Sequence, residues 1–313
     1  MKHPTSKKFL ALTLVGVMSL SLLTACGGRS VETPAPENSA APSPAAEKDY
    51  SEMTLEELKP LLQTVQEGKL TVATSPDFAP AEFYAIGDDG TPTLAGHDVA
   101  LAQHVADYLG LELEMVAVDF DGVIMELQTK SVDMGVASFA ATPERANSMD
   151  FTVEYDGDAQ SFVCVQSNKD LFPDITATNK AEYSFGAQVA SIQVGIAQTN
   201  SPNAELIQLS KVTDIIAELL AGKLDGAYIA TEVAEAYAKQ YPELYVALDV
   251  DSGLDSGTCA GVVKDNPALL AAVNMAITDA VDSGKMDQYR EEAKALAAGE
   301  TYEGLLDGEG KVQ

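Results

Sequence analysis

Basic side chains are scarce in this chain: 19 lysines and arginines stand against 48 acids, for a net charge of −29 over 313 residues. A field of that sign repels nucleic acid and anionic membrane, so neither is expected as a partner. The acids are spread along the chain, as on a soluble extracellular surface. Histidine and cysteine are equally sparse, three of each. His97 and His104 have no cysteine near them, which leaves little from which to build a zinc site. No Ser/His/Asp set and no Cys-x-x-Cys pair appears, so hydrolase and zinc readings lack support. There is no Gly-x-x-x-x-Gly-Lys followed by Ser or Thr, which excludes ATP hydrolysis by a phosphate loop of that kind. No cofactor and no metal is expected. The apolar run from Phe9 to Leu23 is short for a membrane span. What remains is an ordinary globular composition, 46% apolar and 21% charged, long enough for two lobes.

The N-terminus reads as targeting, not fold. Lys2, Lys7 and Lys8 precede the apolar run, which ends in Leu23-Thr-Ala-Cys26-Gly-Gly28. The order of charge, apolar run and Leu-x-Ala-Cys resembles the bacterial lipobox. That resemblance implies a signal peptide over 1–25 and a lipidated Cys26 as first mature residue. Removing the peptide would take away three basic residues and no acid. Residues 26–50 continue as a Pro/Ala/Ser/Glu-rich stretch with little to bury, expected as a disordered tether. A flexible coil of that length spans on the order of 27 Å. Cys164 and Cys259 remain in what would be an exported chain. A disulfide between them and two buried free thiols are both open.

From residue 54 the pattern alternates between helical and strand periods. Thr54 and Glu57 make a capping box ahead of Leu55, Leu58, Leu61, Leu62 and Val65, and a helix is expected over 54–67, with Pro60 a possible disturbance. A strand over 69–74 opens into a loop with two prolines that presents Phe78. A helix follows Gly96 to about Leu109, then a strand from Glu112 to Val118 and a loop and helix from Phe120. Two stretches echo one another: Leu127-Gln-Thr-Lys-Ser-Val-Asp133 and Leu220-Ala-Gly-Lys-Leu-Asp225 each follow an amphipathic helix and lead into a strand. Short strands alternating with helices imply mainly parallel sheets in two similar βαβ halves. The expected class is α/β.

One stretch gathers the chemistry: Val132-Asp-Met-Gly-Val-Ala-Ser-Phe-Ala-Ala-Thr-Pro-Glu-Arg145. Met134 to Ala137 reads as a buried strand that stops at small residues. Thr142-Pro143-Glu144 reads as a helix start. Arg145 then lies near the C-terminal edge of a strand, where open α/β sheets bind ligands. Taken alone it is either a carboxylate grip with paired hydrogen bonds or a surface ion-pair partner.

This stretch, with Met149-Asp-Phe-Thr-Val-Glu-Tyr155, resembles the signature of the amino-acid solute-binding proteins of ABC importers, bacterial solute-binding family 3. Gly96-His-Asp-Val-Ala-Leu-Ala102 matches the family's Gly-Phe-Asp-Val-Asp-Leu-Ala with His97 for Phe and Ala100 for Asp. The C-terminal helices from Leu270 match as well, so the resemblance covers roughly 68–297. It implies a two-lobe periplasmic-binding-protein type II fold joined by two crossover strands. Lobe 1 would be 51–158 with 259–298, lobe 2 would be 159–257, and 299–313 a loose acidic tail. It implies a binding protein, not an enzyme: an extracytoplasmic monomer, lipid-anchored at the outer face of the cytoplasmic membrane, that hands an amino acid or related carboxylate to a permease and its ATPase.

The resemblance also assigns a site. Arg145 would grip the ligand carboxylate. Backbone from Ala137 to Ala140 and the turn N–H groups of Ser191 and Ile192 would complete an anion cradle. Ser138 would offer its hydroxyl or carbonyl, Phe78 and Phe120 would flank the ligand body, and Gln188 and Gln193 would reach from lobe 2. Ser75, Ala230 and Glu232 are weaker candidates. The family usually carries an acid for the ligand ammonium near Ala230, often Ser or Thr at Ala140, and Asp in some members at Ser75. Each departure thins the amine grip, so Glu232 or another acid substitutes, or the ligand is not a plain α-amino acid. The same architecture resembles secreted cyclohexadienyl dehydratases, which would need a cleft acid with a raised pKa; Glu82, Glu154 and Glu232 are the available carboxyls. A solute-binding subunit reporting to a sensor is the other alternative.

Overall fold

The computed structural model describes residues 49–298 apart from 88, 89 and 158. The expected signal peptide, the lipidated Cys26, the tether up to residue 48 and the tail from 299 lie outside the described residues. The tether's last two positions do not: Asp49 caps a 3₁₀ turn at Tyr50–Glu52, accepting the Ser51 N–H at 3.0 Å. Among the described residues no helix is long and apolar enough to cross a membrane.

The helix expected over 54–67 is much shorter. Glu57 folds back on Thr54 as the capping box requires (backbone N–H to Oε2, 2.9 Å), and α1 spans only Leu55–Leu58. Pro60 has no N–H for the next helical bond, so the chain tightens into a 3₁₀ turn at Lys59–Leu61 and then unwinds. Leu61 and Leu62 still pack on the first lobe's core. The apolar periodicity thus marked the packed leucines, but Val65 is 48% exposed and the helix is shorter than the pattern implied.

Strand β1 (Lys69–Thr74) is buried along almost its whole length. The short strands β2 (Asp77–Phe78), β3 (Glu82–Ile86) and β4 (Pro92–Ala95) form a small antiparallel sheet beside it. Gly96, at φ 126°, then turns the chain into α2 (His97–Leu109); a Cβ there would lie 2.0 Å from the Ala81 carbonyl oxygen. Next come β5 (Glu112–Ala117), α3 (Phe120–Gln128), β6 (Met134–Ala140) and β7 (Met149–Asp156). The chain crosses at 157–159 to β8 (Gln160–Val165), β9 (Ser184–Gln188), α4 (Ile192–Asn200), β10 (Glu205–Leu209), α5 (Val212–Leu220), β11 (Gly226–Ala230), α6 (Thr231–Gln240) and β12 (Leu244–Val250). It returns to β13 (Thr258–Val263) and ends in α7 (Pro267–Asp282) and α8 (Lys285–Ala297).

Two five-stranded sheets result, ordered β5-β1-β6-β13-β7 and β10-β9-β11-β8-β12. In each, one strand runs against the rest: β13 is antiparallel to both β6 and β7, and β8 to both β11 and β12. These are the strands that arrive from the other lobe; the other four of each sheet run parallel, so the sheets are mainly parallel as expected, each with one reversed strand. The two sequence echoes occupy equivalent places. Asp133, ahead of β6, accepts the Thr71 N–H of β1 at 2.8 Å; Asp225, ahead of β11, accepts the Ser184 N–H of β9 at 2.9 Å. In both lobes a carboxylate, buried at Asp133 and half-buried at Asp225, ties the third strand of the βαβ series to the first. Cys164 and Cys259 are both free and buried, and burial pushes each thiol up to about 11.

Candidate functional site

The C-terminal ends of β1, β6, β9 and β11 face a single cavity of about 530 Å³ between the lobes. All thirteen candidates from the sequence line it: Ser75, Phe78, Phe120, Ala137, Ser138, Ala140, Arg145, Gln188, Ser191, Ile192, Gln193, Ala230 and Glu232.

Arg145 is only 8% exposed. Its guanidinium donates to the Ala140 carbonyl in lobe 1 (3.0 Å) and to the Ala190 carbonyl in lobe 2 (3.1 Å), and lies 5.2 Å from the centroid of the Phe120 ring. The aromatic ring and the two carbonyls hold the fork in place. The helix expected at Thr142-Pro143 is a single 3₁₀ turn at Arg145–Asn147, in which Thr142 Oγ1 accepts the Arg145 N–H at 3.2 Å. Strand β6 runs on through Ala140, three residues past the expected end, because Phe139 is fully buried and extends the apolar face.

Ser138 sits at φ 47°, a left-handed backbone in the last turn of a strand, beside a break in the β6–β13 register. Such a conformation costs of order 1 kcal/mol and is held by its surroundings. Here Asp98 supplies the hold, accepting the Ser138 N–H at 2.9 Å. On the lobe-2 side Ala190, at φ 60°, turns the chain into α4. The Ser191 N–H is already given to Gln188 O at 3.2 Å, so it is not the cradle donor that was expected. The first-turn N–H groups of Ile192 and Gln193 have no intrahelical acceptor and are the ones left for an anion.

Two other candidates serve chiefly as braces. Gln188 donates its amide across the lobes to Asp77 Oδ2 (3.1 Å) and within its own lobe to Ser210 O (3.0 Å). The Ser75 hydroxyl donates to Asp77 Oδ1 at 2.8 Å. Asp77 also accepts the Val212 N–H at 2.6 Å, so a lobe-1 carboxylate caps a lobe-2 helix. Gln193 donates to Gln160 Oε1 at 2.7 Å.

The cavity also holds charges that sequence reasoning did not place there. Arg290 and Lys294 reach in from α8: Arg290 pairs with Asp156 at 2.5 Å and Lys294 with Glu232 at 3.2 Å. Glu232, the expected substitute acid, thus already faces a cation of the protein, both side chains being half-exposed. Helical spacing of 290 and 294 was the available signal, but it does not say which face meets a cleft. Glu82 and His97 line the cavity as well, at 1% and 2% exposure. Burial, then the charges of Asp98 and Asp77, holds the Glu82 carboxyl well above the usual carboxylate range. Burial also raises Asp98, offset in part by His97, the Ser138 N–H and the Tyr155 hydroxyl. His97, Asp156 and Glu232 offer donor atoms within 4.8 Å of one another, the spacing of a candidate metal set. A divalent ion there would sit beside the fixed charges of Arg290 and Lys294, which fits the set poorly for that role.

Comparison with known proteins gives the same picture. The family model for bacterial extracellular solute-binding proteins, family 3, matches residues 70–293. The chain is 31% identical over 168 residues to the arginine-binding extracellular protein ArtP of Bacillus subtilis; the match spans 51% of this chain and 60% of that protein. Its fold is similar to an amino acid ABC transporter substrate-binding protein from Streptococcus pneumoniae bound to L-arginine, with 31% identity and a TM-score of 0.69 over 77% of this chain and 97% of the other. It is also similar to an ancestral amino-acid-binding protein described as a precursor of cyclohexadienyl dehydratase, with 25% identity and a TM-score of 0.65 over 76% and 97%. With the matched region covering both sheets and the cavity between them, the chain belongs to the bacterial extracellular solute-binding proteins, family 3.

Proposed function

We propose that this chain is the extracytoplasmic substrate-binding component of an ABC importer, capturing an amino acid or amino-acid-like carboxylate between two closing lobes and delivering it to a membrane permease and its ATPase. The observation that carries this reading is Arg145: a buried guanidinium lining the interlobe cavity, held by one carbonyl from each lobe. A carboxylate arriving there would complete its hydrogen bonding together with the first turn of α4. Phe78 and Phe120 would flank the ligand body, and Ser138, Ala137 and Ala140 would offer backbone. Contacts from both lobes favour the closed form, which is the form a permease would recognise. In this reading lobe 1 is 51–158 with 259–298 and lobe 2 is 159–257, and a lipid on Cys26 holds a monomer at the outer face of the membrane.

The relatives are binding proteins rather than enzymes. Glu82 has the raised pKa that a dehydratase acid would need, so a turnover control with prephenate and arogenate belongs beside every binding assay. The test is calorimetry with the twenty L-amino acids on wild type and Arg145→Ala. Truncating one side of a buried charged pair costs about 3 kcal/mol or more, so affinity should fall at least about a hundredfold. An Arg145→Ala protein that binds as tightly as wild type would end this reading.

A further inference from the structure

Three carboxylates line the cavity, and the protein's own cations account for two of them. Asp156 faces Arg290 and Glu232 faces Lys294. Glu82 is different. Its side chain shares a hydrogen bond with Asp98, its Oε2 is buried with no hydrogen-bond partner, and the charges acting on it are those of Asp98 and Asp77, both negative. His97 lies against the same cavity with its Nδ1 buried and equally without a partner. Its other nitrogen, Nε2, lies 3.6 Å from Asp98 Oδ1; with the ring proton on that side, Nδ1 is an acceptor. Two buried acceptors with nothing to accept are rare, and each leaves a desolvation cost standing.

From this geometry we infer that Glu82 and His97 together hold the positively charged nitrogen of the captured solute. The inference rests on the importer reading and deepens it, because it names the amine grip that Ala230 and Ala140 do not supply. The placement fits. Asp98 lies between the pair and Ser138, bonding the Ser138 N–H at 2.9 Å. Ser138 is two residues along β6 from Ala140, whose carbonyl holds Arg145. Glu82, His97 and Arg145 line the same cavity of about 530 Å³, so an anion-holding and a cation-holding pole lie within reach of one small molecule. The solute class is therefore a zwitterion with its ammonium a few bonds from its carboxylate. A carboxylic acid of the same skeleton without the amine would leave both buried acceptors empty.

The test is calorimetry with the twenty L-amino acids, their des-amino acids, and Zn²⁺ and Ni²⁺ as chlorides, on wild type, Arg145→Ala, Glu82→Gln and His97→Phe. Wild type should bind at least one amino acid at least a hundredfold more tightly than its des-amino counterpart. Glu82→Gln should lose tenfold or more in amino-acid affinity while keeping des-amino affinity unchanged. His97→Phe, a substitution to the residue at this place in the family pattern, should narrow the same ratio and serves if the glutamine variant fails to fold. Arg145→Ala should weaken both ligand sets, so the importer reading can stand while this inference falls. Three results would overturn the inference: equal binding of amino and des-amino forms, unchanged selectivity in both Glu82→Gln and His97→Phe, or no amino acid bound at all. Metal binding abolished by His97→Phe, with amino-acid selectivity intact, would assign the imidazole to an ion and overturn it too.

Discussion

Glu82 shows how one side chain can trade stability for recognition. A buried carboxyl with a raised pKa favours the fold in its neutral form. Its stabilising contribution is fully present below its ordinary value of 4.5 and is lost as pH rises through the higher folded value. In Glu82→Gln the amide is neutral at every pH and keeps nearly the same shape. Thermal melts of the ligand-free protein should therefore show a gap between variant and wild type that is small near pH 4 and grows in the variant's favour toward pH 8. Asp133 is raised as well, but it is common to both proteins and cancels in the difference; Asp98 and Asp77 act on Glu82, so the gap reads Glu82 together with its coupling to them. A gap that stays constant across this range would show that Glu82 does not ionise with a penalty. The sequence offered Glu82 only as one of three carboxyls for a cleft acid, and nothing local separated it from Glu154 and Glu232. Burial of a carboxyl is decided by what packs over it, and that information lies in α2 and β7, far along the chain. Arg145 was legible because its motif places it at a strand end, and strand ends in α/β sheets are where ligands bind.

At the scale of elements, the lobes meet through Asp77. This lobe-1 carboxylate accepts the first N–H of α5 at 2.6 Å and the Gln188 amide at 3.1 Å, and its own carbonyl accepts the Tyr237 hydroxyl at 3.2 Å. An anion at a helix N-terminus is favourable, and here the helix belongs to the opposite lobe. Hydrogen bonds to a charged group are worth roughly 1.5–3 kcal/mol, so Asp77→Ala should shift the lobes toward the open form and weaken solute binding about tenfold. Small-angle scattering of the ligand-free variant should give a larger radius of gyration than wild type. Unchanged scattering and unchanged affinity would remove Asp77 from the closing contacts. The elements themselves were largely legible: strands and helices follow the two apolar periods, and the Asp133 and Asp225 echo marked equivalent positions in the two lobes. Pro60 was flagged as a disturbance and did cut α1 short. Two features were not legible: Thr142-Pro143 gave a 3₁₀ turn, and the left-handed Ser138 beside a register break has no local signature. Both depend on which neighbour takes a backbone hydrogen bond, and a periodicity does not carry that.

For the whole molecule, the acidic exterior and the interior of the cleft differ in character. A net charge of −29 would hinder a carboxylate's approach, yet the cavity wall presents Arg145, while Arg290 and Lys294 offset Asp156 and Glu232 there. Attraction of the anion is thus confined to the cleft, where closure removes it from screening water. The most direct measurement is a crystal structure of the protein with the tightest-binding amino acid of the panel. The expected result is a solute enclosed between the lobes, its carboxylate within about 3 Å of the Arg145 guanidinium. A solute bound elsewhere, or an Arg145 side chain turned away from it, would contradict the proposed capture mechanism.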